Sequence, residues 1–132
     1  MDLIKSIEHL LSDFAWYSDR AEWDALAKLF VAAGTLDVNG LLLTGPDDIA
    51  ATLRLRAAGA TRITRHTWSN LRVQMLNANC AGSTAIQVTF EQATAGAVAQ
   101  LRVSDLVDSF EQDATGAWRF ATRRVSRVMA TS

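Results

Sequence analysis

Residues 61–92 read TRITRHTWSNLRVQMLNANCAGSTAIQVTFEQ, two long runs on either side of a short polar turn, Asn77-Ala78-Asn79. Runs rich in β-branched and aromatic residues, joined this tightly, pair as antiparallel strands. Two more runs of similar length follow, at 97–111 and 117–129. Thr94-Ala95-Gly96 and Asp113-Ala114-Thr115-Gly116 separate them. The strand boundaries read from the sequence are thus 61–76, 80–92, 97–111 and 117–129, and the expected arrangement is an antiparallel meander.

The first third of the chain reads differently. Leu3, Ile7, Leu10 and Phe14, with Ile4 and Leu11, recur at helical spacing, while Glu8, His9, Ser12 and Asp13 take the opposite side. A second helix is predicted over 21–30 with Trp23, Leu26, Ala27 and Phe30 inward, and Ser18 or Asp19 as its cap. Residues 35–38 and 41–43 suit a hairpin about Asn39-Gly40. A third helix should begin at Gly45-Pro46-Asp47-Asp48, where proline fits the first turn and acids fit its positive end, and stop near Gly59. Helices first and strands after predict an α+β fold, a cone-shaped α+β barrel with N-terminal helices packed on a strongly curved, mainly antiparallel sheet. The hollow of such a cone is where chemistry is expected.

Length and composition narrow the function classes. The 132 residues fit one domain, 1–132, and a net charge of -1 gives no electrostatic case for nucleic acid or an anionic membrane. The single cysteine, Cys80, and two histidines, His9 and His66, supply neither a disulfide framework nor a histidine-rich metal site. No metal and no cofactor are therefore expected. No apolar run approaches a membrane span, and the N-terminal residues lack a basic-then-apolar pattern, so a cytoplasmic protein is the expectation.

His66 is the first candidate for chemistry, since a neutral imidazole can take a proton and return it near neutral pH. Strand parity groups it with Trp68 and Asn70, whereas Ile63, Leu71, Val73 and Met75 fall on the more apolar face. Either a bulge re-phases the strand, or both faces are covered, one by helices and one by a partner subunit. Asp19, at the end of the first helix, is the second candidate. Paired with His66 it would fix the ring tautomer; unpaired it would be a helix cap.

Asp105 shares parity with Leu101, Val103 and Val107, and so must be paired, protonated, facing a polar cavity, or turned outward by a bulge. Asp37 reads as a turn acid, Glu91 and His9 as solvated. Arg119, Arg123 and Arg127 read as a solvated or interface row, and the aromatics mostly as core. Val103, Val107, Val125 and Val128 could pair sheets in a homodimer.

The segment Phe14 to Phe30, the run Thr61-Arg62-Ile63-Thr64-Arg65-His66 followed by Asn70, and the ending Gly116-Ala117-Trp118-Arg119-Phe120 resemble the SnoaL-like proteins of the nuclear transport factor 2-like superfamily. The resemblance spans nearly the whole chain and implies the same cone-shaped fold. Within the superfamily it is nearest the scytalone dehydratase and hexachlorocyclohexane dehydrochlorinase type. It implies catalytic roles for His66, as base, and Asp19, as its partner, with Asn70 matching a dehydrochlorinase asparagine. The chain departs from the dehydratase pattern where a second histidine is replaced by the stretch Thr89-Phe90-Glu91-Gln92. Ser104 is kept but its partner position is Leu106, and the tyrosine beside the aspartate falls on Ser18, next to Tyr17. Asp37 aligns with the basic aspartate of ketosteroid isomerase, without that enzyme's oxyanion hole. Asp105, Arg102 and Asn70 supply the residue types of an epoxide hydrolase of this fold.

The functional expectation is a cofactor-independent lyase or isomerase, dehydratase-like, acting through Asp19 and His66 on a small hydrophobic substrate of cyclic, polyketide, aromatic or steroid-like character. Tyr17, Trp68, Asn70, Ser104 and Asp105 are its expected substrate contacts. The alternative is a non-catalytic small-ligand-binding or dimerisation module.

Overall fold

Pairing between distant strands, not local propensity alone, sets the element boundaries. The computed structural model describes residues 2–131. In chain order it contains α1 (Leu3–Asp19), α2 (Trp23–Ala27), β1 (Phe30–Val38), β2 (Leu41–Thr44), α3 (Pro46–Ala57), β3 (Ile63–Asn77), β4 (Cys80–Gln92), β5 (Gln100–Gln112) and β6 (Trp118–Ala130). One six-stranded sheet runs in the order β2-β1-β6-β5-β4-β3 and curls without closing. The meander of β3 to β6 is antiparallel throughout, and β1 joins β6 in parallel.

That parallel pairing shortens the second helix. The sequence predicts helix through Phe30, but Phe30 opens β1 opposite Phe120, and the Phe120 N–H donates to the Leu29 carbonyl at 2.8 Å. Phe30 packs 5.1 Å from Phe120, which also meets Phe110 at 5.0 Å and Phe14 at 6.0 Å between ring centroids. Burying this ring cluster outweighs one more turn of helix. The capping expectation also fails: Glu22 precedes α2 without a side-chain cap, and Asp19 is engaged elsewhere. The third helix follows its sequence signals, with Gly45 at φ 84°, Pro46 in the first turn and Thr44 N–H donating to Asp48 at 2.9 Å.

β3 resolves its parity conflict by a bulge. Ser69 pairs Ile86 but Arg72 pairs Thr84, so β3 carries one extra residue there, and Asn70 takes φ 57°. Before the bulge Thr64, His66 and Trp68 turn inward; after it Leu71 and Val73 do. Helix α1 lies on this concave face, packed chiefly on β3. Its Ile7, Leu10, Leu11 and Phe14 join Leu36, Leu106, Phe110 and Phe120 in one core. The outer face leaves Phe90, Val107, Val128 and Met129 exposed, and Trp16 is exposed beneath Arg20, so these aromatics and valines are not core. Among the described residues no helix is long and apolar enough to cross a membrane.

The arginine row is not solvated along its length. Arg123 is 2% exposed, its guanidinium 4.3 Å from the Phe14 ring and 4.9 Å from Phe120. It faces Asp108 across the β5–β6 ladder with Nε 3.6 Å from Oδ1. Both carboxylate oxygens of Asp108, two nitrogens of Arg123 and the hydroxyl of Ser83 find no hydrogen-bond partner among the described residues. Burial pushes the Asp108 carboxyl up to about 6, more than the Arg123 charge pulls it down.

A buried acid with a raised pKa makes the folded state hold a proton the unfolded chain has lost, so stability falls as pH rises between the two values. Relative to Asp108→Asn, the wild type should lose urea stability from about pH 4 to about pH 6 and stay level above that. A pH-independent difference would contradict the assignment. Arg123→Met, which strands the carboxylate, should cost about 3–5 kcal/mol at neutral pH in the same titration.

Candidate active site

Helix α1 ends where its last residue meets the edge of the sheet. Ala21 adopts φ 56°, and the N–H groups of Arg20 and Glu22 turn back to the Tyr17 carbonyl at 3.2 and 2.9 Å. That reversal leaves Asp19 directed at β3. Its side chain is 4% exposed and meets three donors from two residues of one strand face. Oδ1 accepts from the Thr64 hydroxyl at 3.0 Å and lies 2.5 Å from His66 Nδ1, and Oδ2 accepts from the His66 backbone N–H at 3.0 Å. β3 is an edge strand, so this contact also satisfies a backbone donor the sheet leaves unpaired.

Burial alone would raise the Asp19 carboxyl, but the His66 ring, the His66 N–H, the His66 charge and the Thr64 hydroxyl together bring it below its ordinary value. An ionised carboxylate only accepts, so Nδ1 carries the hydrogen between them. Nε2, on the far side of the ring, has no hydrogen-bond partner among the described residues.

His66 and Asp19 line a cavity of about 390 Å³, open to solvent on one side. Its apolar wall comes from Phe14, Trp23, Leu36, Val38, Leu53 and Val125. The opposite wall is polar: Gln87 and Thr89 on β4 and Ser104 on β5 are 6%, 3% and 6% exposed. Around the mouth stand Arg56, Arg62, Arg102, Arg127 and Glu91. Glu91 is not merely solvated, for it binds Arg102 at 3.0 Å and reaches Arg62 at 3.9 Å.

Of the seven expected catalytic and contact residues, the structure brings Asp19, His66 and Ser104 to one cavity. Four expected contacts lie outside it. Trp68, past His66 on β3, packs on the core and donates its Nε1–H to Ser12 on α1 at 3.1 Å. Tyr17 turns into the core while its neighbour Ser18 lines the cavity. Asn70 is exposed at the bulge, accepting from the Ser69 hydroxyl at 2.8 Å. Asp105 points outward, because Ser104, Leu106 and Asp108 hold the inward parity of β5. Asp37 accepts from the Gly40 N–H at 2.8 Å, as a turn acid does. The sequence reading missed Gln87 and Thr89 as site residues, named Arg102 only among the residue types of an epoxide hydrolase, and took Arg127 for part of a solvated or interface row. The odd-numbered alternation of small and polar residues from Ala81 to Glu91 was the signal that could have found the first two. Among the described residues no group of three or more His, Cys, Asp or Glu is arranged to hold a metal.

Comparison with known proteins places this geometry in context. The model of the SnoaL-like domain matches residues 1–124. No curated protein matches the chain. Among solved structures, a candidate scytalone dehydratase from Novosphingobium aromaticivorans superposes with a TM-score of 0.85 at 22% identity, over 97% of this chain and 85% of that one. A hexachlorocyclohexane dehydrochlorinase (LinA) of type 2 gives 0.84 at 19% identity, over 96% and 86%. ActVI-ORFA from Streptomyces coelicolor gives 0.84 at 12%, over 95% and 96%. Identities this low show a shared fold.

A carboxylate with a lowered pKa contributes stability above the unfolded value near 3.8 that fades as pH falls through the folded one. Asp19→Asn should therefore cost about 1–3 kcal/mol at neutral pH, by leaving buried donors poorly met. The cost should shrink below about pH 4. Denaturant titrations of both proteins across acidic pH check this; equal stabilities at pH 7 would contradict it.

Proposed function

The chain belongs to the SnoaL-like domain family, and within it we propose a cofactor-independent lyase or isomerase in which His66 is the general base and Asp19 its positioning partner. One observation carries the reading: a buried, ionised carboxylate occupies Nδ1 of a histidine whose other nitrogen is left free at an open cavity. In that tautomer Nε2 offers a lone pair to a substrate proton, and the imidazolium that forms sits against a negative charge. Two structures of similar fold bear the names of eliminating enzymes, a dehydratase and a dehydrochlorinase, which supports the same class of chemistry.

The step is a β-elimination or its allylic counterpart. Nε2 takes a proton from carbon, and the C–H electron pair becomes the new π bond. The group on the neighbouring carbon leaves with its bonding pair. When that group is hydroxide, the imidazolium returns the proton and water departs. The reaction involves no net redox change, so it needs no electron carrier. The apolar wall, with Trp23, Leu36 and Leu53, suits a small cyclic, aromatic or polyketide-like ring held with its acidic carbon toward His66. Orientation in the cavity supplies the rest of the acceleration.

The test is proton exchange and elimination measured by NMR in D₂O over a panel of cyclic β-hydroxy ketones and chlorinated cycloalkanes. His66→Ala should lower kcat by about 10²–10⁴-fold. Asp19→Asn should lower kcat with little change in KM, because it disturbs the ring and not the substrate contacts. Wild-type rates in both variants, each shown to be folded, would remove the dyad from the mechanism. Binding of panel members without turnover by the wild type would favour a binding module instead.

A further inference from the structure

Resting on that reading of the His66 site, we infer that its substrate is an anion, an oxygenated ring compound whose carboxylate is held at the cavity mouth by Arg127. Two separate observations lead there.

The first is the polar wall. Gln87, Thr89 and Ser104 are all more than nine-tenths buried and line the cavity. None of their side chains hydrogen-bonds another group among the described residues. Buried polar groups are ordinarily paired, so three left open toward one cavity mark where a ligand's oxygens belong. The sheet register orders them. His66, Thr89 and Arg102 lie opposite one another across β3, β4 and β5. Gln87, Ser104 and Arg127 form the next row across β4, β5 and β6. With strands spaced about 4.8 Å apart, that second row spans roughly 10 Å, the reach of a ring bearing groups at both ends.

The second is the charge at the mouth. Four arginines line the cavity against two carboxylates, Asp19 and Glu91. Asp19 is committed to His66 and Thr64, and Glu91 to Arg102 and Arg62. Arg56 and Arg127 have no acidic partner among the described residues. Arg127 stands in the Gln87–Ser104 row and shares the inward parity of Arg123 and Val125. Its backbone N–H donates to Asn39 at 2.7 Å, which fixes the strand at the rim and leaves the guanidinium free. A planar fork with no acidic partner, beside a row of buried unpaired polar groups, matches a carboxylate in two parallel hydrogen bonds. Arg56, reaching from the end of α3, adds to the field that draws an anion in.

The experiment compares 3- and 4-hydroxybenzoate and 3-hydroxycyclohexanecarboxylate with their methyl esters, titrated into the folded protein and followed by amide NMR. Each acid should bind about tenfold or more tightly than its ester, and the gap should narrow with salt. Arg127→Leu should erase the gap, Arg127→Lys should retain part of it, and Arg124→Leu, on the outer face, should leave it intact. Ser104→Ala should weaken the hydroxylated acids more than benzoate. His66→Ala should keep the acid preference whether or not the dyad is catalytic, so this inference and the proposed chemistry fail separately. Equal binding of acids and esters, an unchanged gap in Arg127→Leu, or no binding of any acid at millimolar concentration would overturn it.

Discussion

A single carboxylate at the end of α1 fixes the rest of the site. The Asp19 side chain is 4% exposed, and a charge so buried persists only when donors surround it. All three donors come from Thr64 and His66 on β3. Meeting them ties the end of the first helix to the edge strand and sets where α1 crosses the sheet. The same contact selects one tautomer of the imidazole and leaves its other nitrogen for the cavity. Fold and candidate chemistry therefore share one interaction, whose loss would loosen the helix and the ring together.

Much of this was legible in the sequence, and the physics explains where it was not. The order of helices and long strands, the Asn39-Gly40 turn and the Gly45-Pro46 helix start are local signals, and the structure follows them. Reading the residues left Asp19 either paired with His66 or capping a helix, and the SnoaL-like resemblance favoured the pair that the structure contains. The bulge at Asn70 was one of two alternatives, because period-two parity cannot place an inserted residue. The parallel β1–β6 pairing and the early end of α2 depend on Phe30 finding Phe120, ninety residues later. Arg123 misled for a similar reason. Its alternation with Arg119 and Arg127 suggested an open row, but Asp108 and Phe14, both distant in sequence, enclose it together with nearby Phe120. Strand parity turns Asp105 away from the site, and the bulge does the same for Asn70, which parity and the resemblance had placed beside His66.

The cavity divides its labour by element. Helices α1, α2 and α3 with β1 give an apolar wall, β4 and β5 a row of buried unpaired polar groups, and the rim unneutralised arginine. An apolar wall alone would fit any greasy ring. The polar row and the rim charge are what the proposal of an oxygenated anion rests on, a more polar ligand than the composition of the chain suggests. Such division follows from a curled sheet whose inward residues toward the mouth, Gln87, Thr89 and Ser104, are polar, while Ala85, Leu106 and Val125 beyond them are apolar.

The most direct measurement is the ring ¹⁵N spectrum of His66, read by long-range ¹H–¹⁵N correlation in the neutral ring. Tethering by Asp19 predicts a protonated Nδ1 and a pyridine-like Nε2, with that preference lost in Asp19→Asn. A neutral ring protonated at Nε2, or a tautomer indifferent to Asp19, would contradict the account.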